Sequence, residues 1–301
     1  MKLQGHLIDV DLRLADGLRP AEPTVRPLPD ALANTKGEQK IHESLCRHTE
    51  YFPFPKQTHH GAWFRWIISK FELPSGNITD FVYVVTTSSE NTIVLVEIED
   101  PAKKMWAGPP ERAHRSADFT SAIEQVERWQ TDLNKPEQMA SLIATMKAMM
   151  GGNGLARNSW FVEYALVYGR SNENDSAARR EAYANLKRNS SINILTFDHL
   201  ITQVENHGLG EPHNVMKCGS PGPMFSYLYL NREPSNEFAY LEKGTLLLDS
   251  EAERLLKAKG YDIDAWKADQ PLSLQGKYTM EDVSEIVDQY LASVVQGKTK
   301  T

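Results

Sequence analysis

Runs of apolar and β-branched residues predict three consecutive strands in the first third of the chain. Residues 63–73 form the first run, and two more follow at 78–85 and 92–99. The polar segment 88–91 between the last two runs is typical of a short turn. We therefore expect a β-hairpin with one further strand before it.

Apolar residues recur at helical spacing between and after these strands. Helices are predicted at 36–49, 118–134, 139–150, 174–188 and from Thr196 or Asp198 onward, and further strands at 160–168 and 192–195. Thr196 and Asp198 are both suitable N-cap residues for the last of these helices. The order of elements predicts an α/β fold with a mixed central sheet flanked by helices.

The two ends of the chain differ from this middle part, which spans 36–207. Residues 1–35 contain four prolines and few large apolar side chains, which predicts an N-terminal arm or linker. In 208–301, glycine and proline punctuate a long irregular stretch before a short strand-like run at 225–230. Two helices are expected after it, at 250–259 and 279–295. The third part is therefore interpreted as a mainly helical C-terminal extension.

Composition limits the class of protein. The chain has 301 residues, of which 41% are hydrophobic and 24% charged, as in ordinary globular proteins. It has neither an apolar run of about 18 residues nor an apolar signal core, so we expect a cytoplasmic protein without a membrane segment. The formal net charge of −7 argues against coating DNA by bulk electrostatics but leaves room for a local basic groove.

Acidic residues occur at the base of the predicted hairpin. Asp80 lies near the start of its first strand, and Glu97 and Glu99 close the second. Side chains alternate faces along a strand, so both glutamates project to the same side. The ends of an antiparallel hairpin opposite its turn lie side by side, so the three carboxylates can meet.

Gathered carboxylates repel one another and require a cation or basic side chains among them. Mg²⁺ prefers such hard oxygen ligands, and in this setting it polarises a phosphodiester and lowers the pKa of a bound water. The pattern therefore indicates phosphodiester hydrolysis. The alternative is an ordinary solvated strand face. The apolar run 94–96 argues against that alternative because it is typical of a strand in a sheet interior.

Six short motifs follow one another within 36–207. They are Gly37-Glu38, Thr79-Asp80-Phe81-Val82, Val96-Glu97-Ile98-Glu99-Asp100-Pro101, Gln125 with Trp129 four residues later, Val167-Tyr168-Gly169-Arg170 and Leu195-Thr196-Phe197-Asp198-His199-Leu200. In this order they resemble the Shedu antiphage nucleases, a branch of the restriction-endonuclease-like PD-(D/E)XK superfamily. The resemblance implies a restriction-endonuclease-like mixed sheet.

The resemblance also implies roles for individual residues. Asp80 and Glu97 are expected to bind the metal, Mg²⁺ or alternatively Mn²⁺. Glu38 is expected to hold the metal through a water or to orient the site. Gln125 is expected to position the scissile phosphate or a catalytic water. The implied partners are DNA, further copies of the same chain in a homo-oligomer, and a partner protein of a defence system.

The catalytic motif departs from the superfamily pattern at one position. Glu99 stands where the pattern has a lysine, which gives an E-x-E variant of the motif. Glu99 is interpreted as a second metal ligand or as the general base. The missing positive charge is expected from Lys103, Lys104 or Arg128. Arg170, beyond the end of a predicted strand, is a candidate phosphate contact.

Three hypotheses follow from these observations. The first is a Mg²⁺-dependent DNA endonuclease or nickase of an antiphage system. The second is a nucleic-acid-binding or regulatory module that the change from lysine to glutamate has silenced. The third is an oligomerising component of a defence complex, which is compatible with the first.

Overall fold

A mixed nine-stranded sheet forms the centre of the computed structural model, which describes residues 7–10, 27–34, 36–53, 62–151, 154–207, 212–219, 224–232 and 237–275. Its strands are β1 (Leu7–Asp9), β2 (Ala62–Glu72), β3 (Ile78–Thr86), β4 (Glu90–Ile98), β7 (Ser159–Val167), β8 (Ile192–Leu195), β9 (Asn214–Gly219), β10 (Met224–Tyr229) and β11 (Leu246–Leu247). β5 (Trp106–Ala107) and β6 (His114–Arg115) form a separate two-stranded ribbon.

Eight α-helices accompany the sheet in the described ranges. They are α1 (Leu28–Asn34), α2 (Glu38–Arg47), α3 (Ala117–Leu133), α4 (Pro136–Met150), α5 (Ala177–Asn189), α6 (Phe197–His207), α7 (Ser250–Ala258) and α8 (Ile263–Lys267). None of the helices in these ranges is long and apolar enough to cross a membrane.

The strand order is β11-β1-β10-β9-β2-β3-β4-β7-β8. The neighbours β2, β3 and β4 are antiparallel, whereas β4, β7 and β8 run parallel. The hairpin therefore lies in the interior of the sheet, with partners on both edges. This explains why β3 and β4 are almost continuously apolar and buried.

Helices cover both faces of the sheet. On one face, buried residues of α3 and α4, including Trp129 and Met146, pack on residues of β3 and β4 such as Val82 and Leu95. On the other face, Ile41 of α2 and Leu200 of α6 belong to a second buried cluster. The observed α/β layers confirm the fold class expected from the sequence.

The hydrophobic pattern located most elements of the middle part to within a few residues. α3 begins one residue before the predicted start, and its N-cap Ser116 accepts a hydrogen bond from the Phe119 amide. Thr196, not Asp198, caps α6, since its hydroxyl accepts a hydrogen bond from the His199 amide. Periodicity therefore identified α3 from sequence, and the N-cap candidates Thr196 and Asp198 identified the start of α6.

The sheet does not stop at residue 207. β9 and β10 pair with each other, and β9 also pairs in parallel with β2. The prediction of an irregular stretch was therefore wrong at 214–219. Only Val215 and Met216 are strongly apolar in this segment, so pairing with neighbouring strands, and not the local sequence, decides its conformation. At the other end, β1 joins the sheet beside β10, and α1 packs on α2. The predicted helix 279–295 lies outside the described residues.

Gly151 ends α4 in a left-handed conformation with φ of 60°. A Cβ at this position would lie 2.5 Å from the backbone oxygen of Tyr240. Gly76, with φ of 85°, has nothing within 4 Å of the position that a Cβ would take.

We expect Gly151→Ala to lower the free energy of unfolding by about 3 kcal/mol through strain and overpacking, and Gly76→Ala by about 1–2 kcal/mol through strain alone. Urea denaturation of both variants measures this, and equal losses would contradict the contact with Tyr240.

Candidate active site

Asp80 lies in β3 at the base of the hairpin, with only 3% of its surface exposed. Phe81 pairs with Val96, so the next residues toward the strand ends, Asp80 and Glu97, lie on facing positions. The backbone amide of Ile98 donates a hydrogen bond of 2.8 Å to Asp80 Oδ2. The backbone of β4 therefore fixes the orientation of the Asp80 carboxylate.

Glu97 lies near the end of β4 and is 8% exposed. Its Oε1 accepts a hydrogen bond from the amide Nε2 of Gln125 on α3. Gln125 is half-buried, between the buried positions Ala122 and Val126 on the face of α3 that packs on the sheet. The amphipathic pattern of α3 thus places an amide donor over the carboxylate.

Glu99 follows β4 directly and is 9% exposed. Its amide donates to the Val167 carbonyl at 3.1 Å, so the backbone stays attached to β7 beyond the end of the strand. Lys103 Nζ lies 2.5 Å from Glu99 Oε2. Lys103, Lys104 and Arg128 were expected to supply positive charge, and among these three Lys103 contacts a carboxylate of the site.

Glu38 opens α2 on the other side of the hairpin. Its Oε1 lies 3.9 Å from the Nζ of Lys70, and the same ammonium also forms an ion pair with Asp80 Oδ1. Lys70 comes from β2, in which Ser69 pairs with Phe81 and Phe71 with Thr79, so Lys70 lies opposite Asp80. α2 and β2 thus bring a fourth carboxylate and a second lysine to the hairpin base.

The charge of the cluster is unbalanced. Burial, followed by the charges of Asp80 and Glu99, raises the pKa of the Glu97 carboxyl. The same causes raise the pKa of Glu38. Four carboxylates face two ammonium groups, so the site favours additional positive charge.

A hard divalent cation fits the chemistry of these donors, which are all carboxylate oxygens. The side chains do not converge on one point, however. Within the described ranges, no three histidine, cysteine, aspartate or glutamate side chains are grouped as metal ligands. The reason is that Asp80, Glu97 and Glu99 are each turned toward a donor of the protein itself. An ionised carboxylate has about four acceptor sites on its two oxygens, so Asp80 and Glu97 can bind a cation and still keep their contacts with Lys70 and Gln125.

Arg170 is held away from this cluster. Its guanidinium binds the carboxylate of Asp198 at 2.6–3.1 Å, and the Ser171 amide donates to the same carboxylate at 2.6 Å. These contacts join the end of β7 to the start of α6. They give Arg170 a structural role in the described chain, and its phosphate contact stays a prediction.

Lys104 and Arg128 are exposed. Neither side chain forms an ion pair with the four carboxylates in the part of the chain that the structure describes. The Lys104 carbonyl accepts hydrogen bonds from Ser116 and Tyr168, which anchors the segment after β4. The structure therefore brings together Glu38, Asp80, Glu97, Glu99, Gln125 and Lys103, and leaves the other two basic residues and Arg170 outside.

Lys70 is the site residue that the sequence did not reveal. It lies in a predicted strand, where a lysine is ordinarily expected to point into solvent, and none of the six motifs includes it. One available signal was its distance of ten residues from Asp80 across a short β2–β3 connection. In an antiparallel pair, that spacing places the two side by side.

The fold and the site define a class: an α/β protein with a buried carboxylate cluster at the base of a central hairpin. Residues 35–201, more than half of the chain, match the family model described as Shedu protein SduA, C-terminal. The chain therefore belongs to the Shedu family, as the motifs indicated. This membership associates the protein with antiphage defence. A search of curated proteins found no match.

We expect Asp198→Asn to lower the free energy of unfolding by about 1–2 kcal/mol at pH 7, because it removes charge-assisted hydrogen bonds from Arg170 and Ser171. Burial alone raises the pKa of Asp198, but these hydrogen bonds outweigh it and the net pKa is lowered. The stabilisation is therefore present above the ordinary aspartate pKa of about 3.9 and is lost as the pH falls through the lower folded value.

Urea denaturation between pH 7 and pH 3 measures this effect. The difference between wild type and Asp198→Asn should shrink at the acidic end. Glu251→Gln is the matched control, since it removes an exposed ion pair with Arg254 and should change the stability little at any pH. A difference that is independent of pH would contradict the role assigned to Asp198.

Proposed function

We propose that the protein is a metal-dependent DNA endonuclease or nickase that hydrolyses phosphodiester bonds in antiphage defence. The observation that carries the proposal is the clustering of Glu38, Asp80, Glu97 and Glu99, which come from three separate parts of the fold and are close enough to affect one another electrostatically. Three of these carboxylates are at most 9% exposed and outnumber the lysines beside them. Keeping such a cluster costs several kcal/mol, which a merely structural role would not require.

The chain's own residues divide the work as follows. Asp80 and Glu97 would hold a Mg²⁺ or Mn²⁺ ion, with Glu38 contributing from α2. When bound, the ion supplies positive charge beside the scissile phosphate. Glu99 accepts a proton from the attacking water, whose oxygen forms the new bond to phosphorus while the bond to the leaving oxygen breaks, and the leaving oxygen takes up a proton from solvent water.

Gln125 completes the arrangement on the α3 side. An amide has both a donor and an acceptor, so the group that now binds Glu97 can also orient a water or a phosphate oxygen. Its backbone lies on a helix packed on the sheet, which limits its movement. DNA would reach the cluster from the solvent side, where Lys70 and Lys103 are 46% and 38% exposed.

A second candidate function is supported by the internal pairing of the carboxylates. Because Asp80, Glu97 and Glu99 already have protein donors, the cluster is also compatible with a silenced nucleic-acid-binding module. Salt-dependent DNA binding without any metal-dependent cleavage product would favour this alternative.

We expect wild-type protein to cleave plasmid DNA in the presence of Mg²⁺ or Mn²⁺, and Asp80→Asn and Glu97→Gln to reduce the rate at least about 100-fold. Both variants keep the shape of the side chain but remove a charge needed to bind the cation. The rate of supercoiled plasmid loss measures cleavage on gels.

Glu90→Gln is the control for these variants, because Glu90 lies exposed at the opposite end of β4. It should cleave at the wild-type rate. Wild-type activity in Asp80→Asn and Glu97→Gln would refute the assignment of the site.

Replacing Gln125 by leucine is expected to lower the cleavage rate on the order of 100-fold, since one preorganised donor in an active site contributes about that much. The side chain sizes are similar, so α3 should stay packed. Single-turnover cleavage and thermal unfolding are measured together. Glu124→Leu, at the exposed neighbouring position, controls for the added apolar surface. An unchanged rate in Gln125→Leu would exclude the role given to the amide.

A further inference from the structure

Lys70 contributes a positive charge to the carboxylate cluster from a strand outside the catalytic hairpin. Its ammonium pairs with Asp80 Oδ1 and lies 3.9 Å from Glu38 Oε1. Asp80 is buried, whereas 46% of the Lys70 side chain is exposed. One side of the ammonium therefore faces the carboxylates, and the side chain remains accessible to a ligand from solvent.

The backbone of Lys70 is unusual. Its φ is 50°, in the left-handed region, which costs a residue with a Cβ about 1–2 kcal/mol. Along β2, Ile68 and Phe71 belong to the same buried cluster, although strict alternation would place residues two apart on one face. Lys70, the residue with positive φ, lies between these two residues. Strain of this kind persists where the surroundings impose it, and it is concentrated at functional sites.

The other positive residues are less well placed for the same task. Lys103 belongs to the segment after β4, and its site contact is with Glu99, four residues earlier in the chain. Lys104 and Arg128 are exposed without an ion pair to the carboxylates in the described ranges. Lys70 instead extends from a strand paired on both sides, with β3 and with β9. A group on a rigid element keeps its position better than one on a loop.

We propose that Lys70 supplies the ammonium that the catalytic motif lacks at Glu99, and that it binds a non-bridging oxygen of the scissile phosphate. This inference rests on the proposed nuclease function. An ammonium has three donors and no acceptor, so Lys70 can hold Asp80 and a phosphate oxygen together. It offsets negative charge that develops on the phosphate during attack. Proton transfer from water is left to Glu99.

A purely structural counter-ion for Asp80 would have different consequences. It would matter for folding and for the orientation of Asp80, but the protein would not need an amine at that place once folded. A phosphate contact requires the amine during the reaction itself. The two roles are therefore separable by restoring the amine chemically in an already folded variant.

The experiment compares Lys70→Met, Lys70→Arg and Lys70→Cys with wild type in single-turnover cleavage of a labelled DNA duplex with Mg²⁺. Lys70→Cys is tested before and after treatment with 2-bromoethylamine, which attaches an aminoethyl group to the thiol. Wild type is treated in the same way, because Cys218 is partly exposed and Cys46 is buried. Lys147→Met, at an exposed lysine of α4 outside the site, is the matched control. Thermal unfolding and DNA affinity in EDTA are measured for every protein.

We expect Lys70→Met and untreated Lys70→Cys to cleave about 100-fold more slowly than wild type. Aminoethylation of Lys70→Cys should restore the rate at least tenfold, while treated wild type is unchanged. Lys70→Arg should keep the ion pair with Asp80, and therefore the fold, with an intermediate rate. DNA affinity in EDTA should fall only a few-fold, since one phosphate contact is lost. Lys147→Met should cleave at the wild-type rate.

Two results would overturn the inference: cleavage by Lys70→Met within threefold of wild type, or no recovery after aminoethylation of a folded Lys70→Cys protein. If Lys70→Met does not fold, the rates of Lys70→Arg and of treated Lys70→Cys decide. If wild type and Lys70→Met both cleave while Asp80→Asn is inactive, the role of Lys70 is rejected and the proposed nuclease function is kept. Wild type that gives no product with either metal would reject the proposed function and this inference with it.

Discussion

The antiparallel pairing of β3 with β4 is the constraint on which the site depends. It places Asp80 opposite Glu97 at the base of the hairpin, and parallel pairing with β7 holds β4 in the sheet interior. The backbone positions of Asp80 and Glu97 cannot move apart without breaking strand hydrogen bonds. Their mutual repulsion is therefore built into the backbone, and the surroundings must compensate it.

The compensation comes from elements that approach the hairpin from different directions. α3 brings the Gln125 amide to Glu97, β2 brings the Lys70 ammonium to Asp80, and the segment after β4 brings Lys103 to Glu99. Each carboxylate keeps acceptor capacity beyond these partners, so a cation can also be bound. A buried cluster with this remaining capacity is suited to binding a charged ligand, which connects the packing of the sheet to the proposed chemistry.

Local sequence signals located the parts whose stability is local. The helices with clear periodicity and the strands of the hairpin were found, and the meeting of Asp80, Glu97 and Glu99 at the hairpin base followed from strand alternation. Two features that lack a local signal were not found. β9 depends on pairing with β2 and β10, and the partner of Arg170 is 28 residues away in the chain. No local pattern carries that information.

The sequence by itself determined the α/β class, the family and the acidic residues of the site. Periodicity and the order of the motifs can be read without knowing which residues are in contact. Only the tertiary structure decided which side chains balance their charge. Lys70 enters the site because β2 pairs with β3 in one particular register and because its backbone adopts a left-handed conformation. Arg170 lies outside the site because its guanidinium pairs with the carboxylate of Asp198. Both outcomes depend on strand register and on distances of a few ångströms, over which ion pairs form or fail to form.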